Sequence, residues 1–483
     1  MEFVENRKVE KEQIKAIFKD MLKYSPSKLC GMLGNAIIVP VYTSLLTPEK
    51  YGLYSISIAL LSFLCIIFSD WVGLSGLRFF RRHQIMEDLP KYISLLVFML
   101  VGNLLVMFCA AFIFRSHFYS FFKIQPEYFY AILLLIIPVA VRALLFQLLR
   151  AQLKSISFTL STIVNQILTI FLSIFLVKYC NMGAMALLLG MGISISLVDL
   201  LLIYQSGIMK SFRITRVQLD AVLPIFKYGI PIAATSLSSW IITQSNKFIM
   251  NNINGFSDVG IVGVAYGLTL PLLMTIFSII PVAAIPRIIN MYEERIDVRP
   301  IISRFAGYFI GIAIPLIVVM SLYSTDFVQM LSNEKFYAAY RLIPYFAAGT
   351  FFMALADYTT LQYHLENKTY IDFILKLTSG IIGVILNIVL IPLYGLEGAG
   401  AATLAANFMY FFLSCLVVLP GLRLIFPWRS VVRLGITFIP FMFIYESFKT
   451  ANDSPALFQM LFLLFFFYFG NWFLGKTFIK NPD

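Results

Sequence analysis

Charged residues lie inside several apolar stretches of this chain that are long enough to cross a bilayer. Lys28, Arg142 and Lys247 are basic and Asp357 is acidic. A charge at membrane depth usually faces a water-filled cavity or an opposite charge. Lys and Arg also donate charge-assisted hydrogen bonds to phosphate oxygens. The three cations therefore predict a cavity that binds a phosphate-bearing anion.

The stretch around Lys247 is polar along one face. Its polar residues recur at intervals of three or four, as Ser236, Ser239, Thr243 and Lys247. Such spacing places them on one side of a helix, as a cavity wall requires. Asn35 follows Lys28 by seven residues and shares its face. An alternative is that both lysines, which lie near helix ends, extend to the membrane surface.

Fourteen apolar stretches of about 20 residues, the length that spans a bilayer as a helix, fill most of the chain. We place them at 24–46, 52–75, 92–114, 128–149, 158–177, 185–205, 228–250, 259–283, 305–323, 342–363, 377–393, 399–419, 434–448 and 456–475. The chain is 60% hydrophobic and 13% charged. The predicted fold class is an all-α polytopic membrane protein with about 14 transmembrane helices.

The distribution of basic residues predicts the orientation. With a cytoplasmic N-terminus, 27 of the 37 Lys and Arg residues fall in inner segments and 7 in outer ones. This excess is the positive-inside asymmetry, and it places both termini in the cytoplasm. Residues 1–23 are then a cytoplasmic amphipathic arm. The net charge of +12 reflects topology and contact with anionic membrane lipids, and no nucleic acid partner is expected.

The two halves of the chain repeat each other. Residues 150–154 match 365–368 at an offset of 214, and 179–186 match 394–401 at an offset of 215. The repeat predicts two pseudo-symmetric six-helix lobes with a substrate site between them. The predicted domains are an N-lobe at 24–205, a cytoplasmic linker at 206–227, a C-lobe at 228–419, and two further helices with a cytoplasmic tail at 420–483.

Arg142 and Asp357 differ by 215 residues and so occupy equivalent places in the two lobes. One hypothesis is an ion pair that bridges the lobes in one access state. Another is that Arg142 binds phosphate while Asp357 carries a coupling cation. A third is that both charges are independently solvated near the cytoplasmic ends of their helices. Asp70 and Asp199, also near cytoplasmic ends, are further coupling or gating candidates.

Arginines cluster at the predicted cytoplasmic mouth. One group follows span two and the other lies between spans eight and nine. They are Arg78, Arg81 and Arg82, and Arg287, Arg295, Arg299 and Arg304. These residues satisfy the topology rule, and we expect Arg78, Arg81, Arg82 and Arg287 also to contact anionic headgroups.

Several segments resemble a known family. Leu46–Tyr54 (LTPEKYGLY) and Ile391–Ala401 (IPLYGLEGAGA) resemble its two recurrent loops, and Leu331–Tyr340 (LSNEKFYAAY) and Tyr228–Pro231 (YGIP) also fit its pattern. The family is that of Wzx-type polysaccharide flippases, which handle O-antigen, capsule or teichoic-acid units. They belong to the multidrug/oligosaccharidyl-lipid/polysaccharide exporter (MOP) superfamily.

The resemblance implies a MATE-like fold that flips undecaprenyl-pyrophosphate-linked oligosaccharides across the bacterial cytoplasmic (inner) membrane by alternating access. Partners would be the polyprenyl-pyrophosphate-linked glycan and other polysaccharide assembly proteins. Where relatives often carry Asp-Arg near the end of span seven, this chain has Asn246-Lys247. That departure puts an ion-coupling role for the pair in doubt.

Two other function classes compete with the flippase. A cation-coupled multidrug antiporter of the same superfamily would typically have twelve spans and an acid-centred cation site. A membrane-embedded polysaccharide polymerase or ligase would need a large outer loop, which is missing here. We expect no enzymatic activity, metal site or cofactor, and the chain has no GxxxxGK[ST] nucleotide-binding loop. The coupling ion, if one is used, is left open between H⁺ and Na⁺.

Overall fold

The computed structural model describes residues 36–206, 219–422, 428–451 and 455–479, together with Met32 and Gly34. The predicted arm, Lys28 and Asn35 lie outside the described residues. Within the described part, the regular secondary structure is helical.

The α-helices are numbered here in chain order along the described residues. They are α1 (Ala36–Leu45), α2 (Pro48–Cys65), α3 (Trp71–Ile85), α4 (Leu89–Ile113), α5 (Arg115–Phe122), α6 (Pro126–Ala151), α7 (Ser155–Cys180), α8 (Ala184–Ser206), α9 (Leu219–Ile253), α10 (Phe256–Glu293), α11 (Arg299–Leu322), α12 (Ser324–Leu331), α13 (Ile343–Leu365), α14 (Thr369–Leu416), α15 (Trp428–Ala451) and α16 (Ala456–Ile479). A π-helical turn, Ile66–Asp70, joins α2 to α3, and a 3₁₀ helix, Glu334–Arg341, precedes α13.

The predicted fold class is confirmed. Among the described residues, nine helices are long and apolar enough to cross a bilayer, or ten if the 3₁₀ helix and α13 form one bent span. The helix α14 contains two predicted spans and bends at Gly395, whose φ is 56° and ψ −123°. The helix α9 is long enough but is not among the nine, since polar residues lower its hydropathy. The count of fourteen stays a prediction.

The described residues form two compact units whose segments alternate along the chain. The first unit draws on the described residues within Leu33–Val264 and Lys376–Ala402, and the second on those within Ala265–Leu375 and Thr403–Asp483. These units describe packing, whereas the predicted lobes describe internal symmetry. The lobe boundaries therefore stay a prediction.

Left-handed backbone turns recur at the spacing of the repeat. Leu153 (φ 59°) and Asn367 (φ 55°) are 214 residues apart. A second pair, Glu87 (φ 58°) and Arg295 (φ 62°), is 208 residues apart. A positive φ is uncommon outside glycine. Its recurrence at two pairs of helix ends means that the two halves share a backbone feature as well as sequence.

The turn before α2 is stabilised by a side-chain cap and a proline. The side chain of Thr47 accepts a hydrogen bond from the amide of Lys50, and Pro48 stands at the first helical position. Proline there loses no helical hydrogen bond, because the first amides of a helix have no partner inside it.

Two corresponding glycines allow the starts of α2 and α10 to touch. A Cβ at Gly52 would lie 1.8 Å from the carbonyl oxygen of Phe256, and a Cβ at Gly260 would lie 2.0 Å from that of Pro48. Both distances are far below van der Waals contact. The backbones therefore meet in the first unit only because both positions lack side chains. In the predicted topology this contact lies on the outer side.

Helix α9 packs in the first unit along much of its length. The indole of Trp240 donates to the carbonyl of Ala59 (3.1 Å) and to Ser62 Oγ (3.0 Å). Near its other end, Asn251 Nδ2 donates to the carbonyl of Phe122 (3.1 Å), and Lys123 Nζ donates to that of Asn252 (3.0 Å). Side chains thus fix the polar helix to neighbours from the first half of the chain.

In the second unit, the end of α14 is fastened to α13. The hydroxyl of Tyr363 donates to the carbonyl of Val417 (2.5 Å), and Gln362 Oε1 accepts from the amide of Leu419 (2.8 Å). These bonds satisfy backbone groups beyond the helix end, which would otherwise lack partners. The predicted last two spans are longer than expected, as α15 and α16, and both pack against α11.

We predict that Gly52→Ala and Gly260→Ala each destabilise the protein by about 1–3 kcal/mol, the usual penalty of overpacking. The obstructing atoms are backbone carbonyls and cannot rotate away. The measurement is thermal unfolding of the purified protein in detergent. Gly102→Ala is the matched control, because a Cβ at Gly102 meets nothing within 4 Å. Equal Tm values for all three variants would contradict the close contact.

Candidate functional site

A buried ion pair joins α6 to α8 in the first unit. Arg142 Nε donates to Asp199 Oδ1 (2.6 Å), and Arg142 Nη2 donates to the carbonyl of Ile195 (2.8 Å). Arg142 is 8% exposed and Asp199 4% exposed. The guanidinium carbon also lies 5.4 Å from the ring centroid of Phe146. The charge of Arg142 is thereby compensated inside one unit.

This pairing brings together two residues that the sequence analysis had treated separately. Asp199 was a coupling or gating candidate, and here it is the counter-charge of Arg142. An Arg142–Asp357 pair in another access state stays a prediction. Because Asp199 Oδ2 is buried without a hydrogen bond among the described residues, the pair still has one acceptor to offer.

The polar side chains along α9 differ in what they contact. Ser239 Oγ donates to the carbonyl of Thr235 (3.2 Å), and Thr243 Oγ1 donates to that of Ser239 (3.0 Å). These hydroxyls therefore bond to the helix that carries them, which is how such groups are tolerated in apolar surroundings. Lys247 is buried, with 8% exposure. It does not lie on the exposed surface, as extension to the headgroups would require.

Two residues that precede Lys247 in α9 have buried polar atoms without hydrogen bonds in the described part of the chain. Gln244 Oε1 and Ser245 Oγ are buried and have no hydrogen-bond partner among the described residues. Buried polar atoms are normally satisfied. The end of α9 that carries Lys247 thus has hydrogen-bonding capacity that the described residues leave unused.

Two predicted gating carboxylates differ in their surroundings: Asp70 lies in a π-helical turn, and Asp357 is exposed on a helix. Asp70 ends the π-helical turn and accepts from Ser69 Oγ (3.3 Å). Single π turns inside helices are frequent at functional sites. Asp357 on α13 is exposed, although its neighbours Ala356 and Tyr358 are buried. A carboxylate in this setting can exchange a proton or cation with its surroundings more readily than a buried one.

The predicted mouth arginines are mostly exposed. Arg78, Arg81 and Arg82 follow one another near the end of α3 with exposed side chains, and Arg287 on α10 is half-buried. Arg81 Nη1 donates to Gln84 Oε1 (2.8 Å). The first three are accessible to a headgroup at the end of α3.

Sequence reasoning missed one buried carboxylate. Asp372, in the first turn of α14, is 2% exposed and accepts from the hydroxyl of Tyr410 (2.7 Å). Its other oxygen lies 3.9 Å from His364 Nε2. The predicted spans leave Asp372 in a loop, five residues before span eleven. Asp372 and Lys376 are four residues apart, which would place both on one helix face.

A family model described as "Polysaccharide biosynthesis protein" matches residues 17–292, more than half of the chain. No curated protein sequence matches this one.

Solved structures share the fold. The lipid II flippase MurJ in an inward closed conformation matches with a TM-score of 0.73 at 14% identity, over 96% of this chain and 99% of that chain. An inward-facing multidrug resistance MATE family transporter of the MOP superfamily matches with 0.65 at 14% identity, over 80% and 93%. MATE in the straight conformation matches with 0.56 at 15% identity, over 84% and 94%. These neighbours are a flippase and transporters, not enzymes, and at such identities the likeness shows the fold alone.

We predict that Arg142→Gln and Asp199→Asn each cost about 3–5 kcal/mol of stability, because either change leaves a buried charge without its partner. The double variant should be more stable than either single variant. The measurement is a double-mutant cycle of unfolding free energies. The exposed pair Arg299–Asp297 is the control, with a coupling expected at about 0–1 kcal/mol. Additive effects at Arg142 and Asp199 would contradict a direct pair.

Proposed function

This chain belongs to the polysaccharide biosynthesis protein family, and on that basis we propose that it is a flippase. It would move undecaprenyl-pyrophosphate-linked oligosaccharide repeat units from the cytoplasmic to the outer leaflet of the bacterial cytoplasmic membrane. Both termini would then be cytoplasmic. The observation that carries the proposal is the extent of the structural likeness to a lipid II flippase, over 96% of this chain and 99% of that one.

The headgroup of such a substrate is a pyrophosphate, and Lys247 is the residue we assign to it first. A buried ammonium on a helix with unused polar atoms supports this assignment. Ser239 and Thr243 would line the same path, with Lys28 and Asn35 on the corresponding first span. Arg142, in its ion pair with Asp199, would be a further contact for phosphate.

The route to the site would begin at the cytoplasmic face. Arg78, Arg81, Arg82 and Arg287 would contact the anionic headgroups of substrate and neighbouring lipids. The paired glycines Gly52 and Gly260 would close the outer side, and separation of α2 from α10 would open it. Closure by backbone contact suits alternating access, because a packed interface has a few discrete arrangements and does not deform continuously. Other polysaccharide assembly proteins would supply and receive the substrate.

A second candidate function is cation-coupled multidrug antiport. The specific observation in its favour is Asp357, an exposed carboxylate on an otherwise buried part of α13, together with the MATE-like fold. The likeness to that MATE structure covers 80% of this chain, against 96% for the flippase. For this reason we rank the flippase first.

The proposed function is tested by depleting the protein in its host and locating lipid-linked oligosaccharide with an impermeant lectin. Repeat units that accumulate on the cytoplasmic leaflet are the expected result. Normal outward display together with altered tolerance to cationic drugs would contradict the flippase and favour the antiporter.

We predict that Lys247→Met lowers the flipping rate roughly tenfold or more, the loss expected when a charge-assisted hydrogen bond to phosphate disappears. Lys247→Arg keeps the charge and should retain most activity. The rate is measured in vesicles with a labelled lipid-linked oligosaccharide. Methionine fills a similar volume without a buried charge, so Tm should not fall. Wild-type flipping by Lys247→Met would remove Lys247 from the site.

A separate prediction concerns coupling. We propose that Asp357 carries H⁺ or Na⁺, with Asp70 and Asp199 as gating groups. Asp357→Asn should then flip substrate at a rate that no longer responds to an imposed proton or sodium gradient. Glu127→Gln, which changes an exposed carboxylate in the first turn of α6, is the control. A gradient response in Asp357→Asn equal to that of wild type would contradict the assignment.

A further inference from the structure

A pocket of about 530 Å³ opens in the second unit where α10 ends and α11 begins. Its lining comprises residues 292, 293 and 295–299 together with Gly421 and Leu422, beyond the end of α14. Arg299 is the first residue of a helix apolar enough to span a bilayer. The pocket therefore lies at the boundary between membrane and water, and its volume is within the range of small-molecule sites, roughly 300–1,000 Å³.

Two of the charged residues in the lining neutralise each other. Arg299 Nε donates to Asp297 Oδ1 and Arg299 Nη2 donates to Asp297 Oδ2, both at 2.8 Å. These hydrogen bonds from Arg299 lower the pKa of Asp297. Tyr292 is engaged as well, because its hydroxyl donates to Glu366. None of these groups needs a ligand.

Glu293 and Arg295 are the remaining charges. Both side chains are exposed, and neither has a hydrogen-bond or ion-pair partner among the described residues. The free groups are thus one carboxylate and one guanidinium, two residues apart on the same turn. A purely anionic ligand would meet both an attraction and a repulsion here. A ligand with one anionic and one cationic group would satisfy both.

The charge at Arg295 is not a requirement of the turn. Arg295 and Glu87 occupy equivalent turns, with φ of 62° and 58°, yet their charges are opposite. At the Glu87 turn, His83 Nδ1 lies 2.8 Å from Asp88 Oδ1, and the His83 ring stacks on Tyr92 with centroids 4.1 Å apart. The first turn is therefore filled by its own side chains, whereas the turn at Arg295 borders an open pocket.

We propose that this pocket binds the zwitterionic headgroup of an aminophospholipid such as phosphatidylethanolamine. Arg295 would bind the phosphate, and Glu293 would accept hydrogen bonds from the ammonium. Ile296 and Leu422 would contact the glycerol and the first acyl carbons. This proposal does not depend on the proposed function.

The test is native mass spectrometry of the full-length, delipidated protein in detergent. It is titrated with phosphatidylethanolamine or phosphatidylglycerol of the same acyl chains. We expect phosphatidylethanolamine to bind roughly tenfold more tightly, and Arg295→Asn to reduce that binding roughly tenfold, the loss of one charge-assisted contact. Asparagine tolerates a positive φ, so the turn should be kept. Glu293→Gln should reduce binding to a similar extent.

Glu87→Asn is the matched control, since it also introduces asparagine at a residue with a positive φ, in the equivalent turn. This variant should leave binding unchanged. Equal affinity for the two lipids, or unchanged binding by Arg295→Asn, would overturn the proposal. Soluble glycerophosphoethanolamine distinguishes the source of the headgroup. Weak competition by this compound supports a lipid, whereas competition as strong as that of the intact lipid would overturn the lipid assignment.

Discussion

A polar group without a partner is unstable in hydrocarbon, and that penalty governs where each intramembrane polar side chain of this protein lies. Arg142 and Asp199 meet at 2.6 Å between α6 and α8. Thr243 bonds to the backbone of its own helix, and Asp372 accepts from Tyr410. Because most polar groups are committed in this way, the few that remain available stand out as functional candidates.

The elements that the sequence predicts best are the ends of helices, because proline and glycine act locally. Pro48 begins α2 and Gly395 bends α14, as their residue types require. The internal repeat was also predictable, since helix ends in both halves need the same unusual backbone. Asparagine tolerates a positive φ, as at Asn367, but Leu153 adopts one at the corresponding turn although leucine has no preference for it.

Side-chain partners were harder to predict, since periodicity identifies a helix face but not the neighbour that the face meets. The offset of the internal repeat pairs Arg142 with Asp357. The observed partner of Arg142 is instead Asp199, 57 residues away on α8. The burial of Asp372 likewise depends on a tyrosine 38 residues later. Such pairings follow from how helices rotate and pack, information that a single sequence does not contain.

In a duplicated fold, symmetry keeps equivalent positions alike, whereas function makes their side chains differ. The repeat fixes the backbone at both copies of a turn, so Glu87 and Arg295 share a conformation while their charges differ. The same contrast separates the filled turn at His83 from the open pocket beside Arg295. Folding explains the backbone conformation that two equivalent positions share. A difference in charge between them needs another cause, and the unpaired charges of Glu293 and Arg295 indicate that this cause is ligand binding.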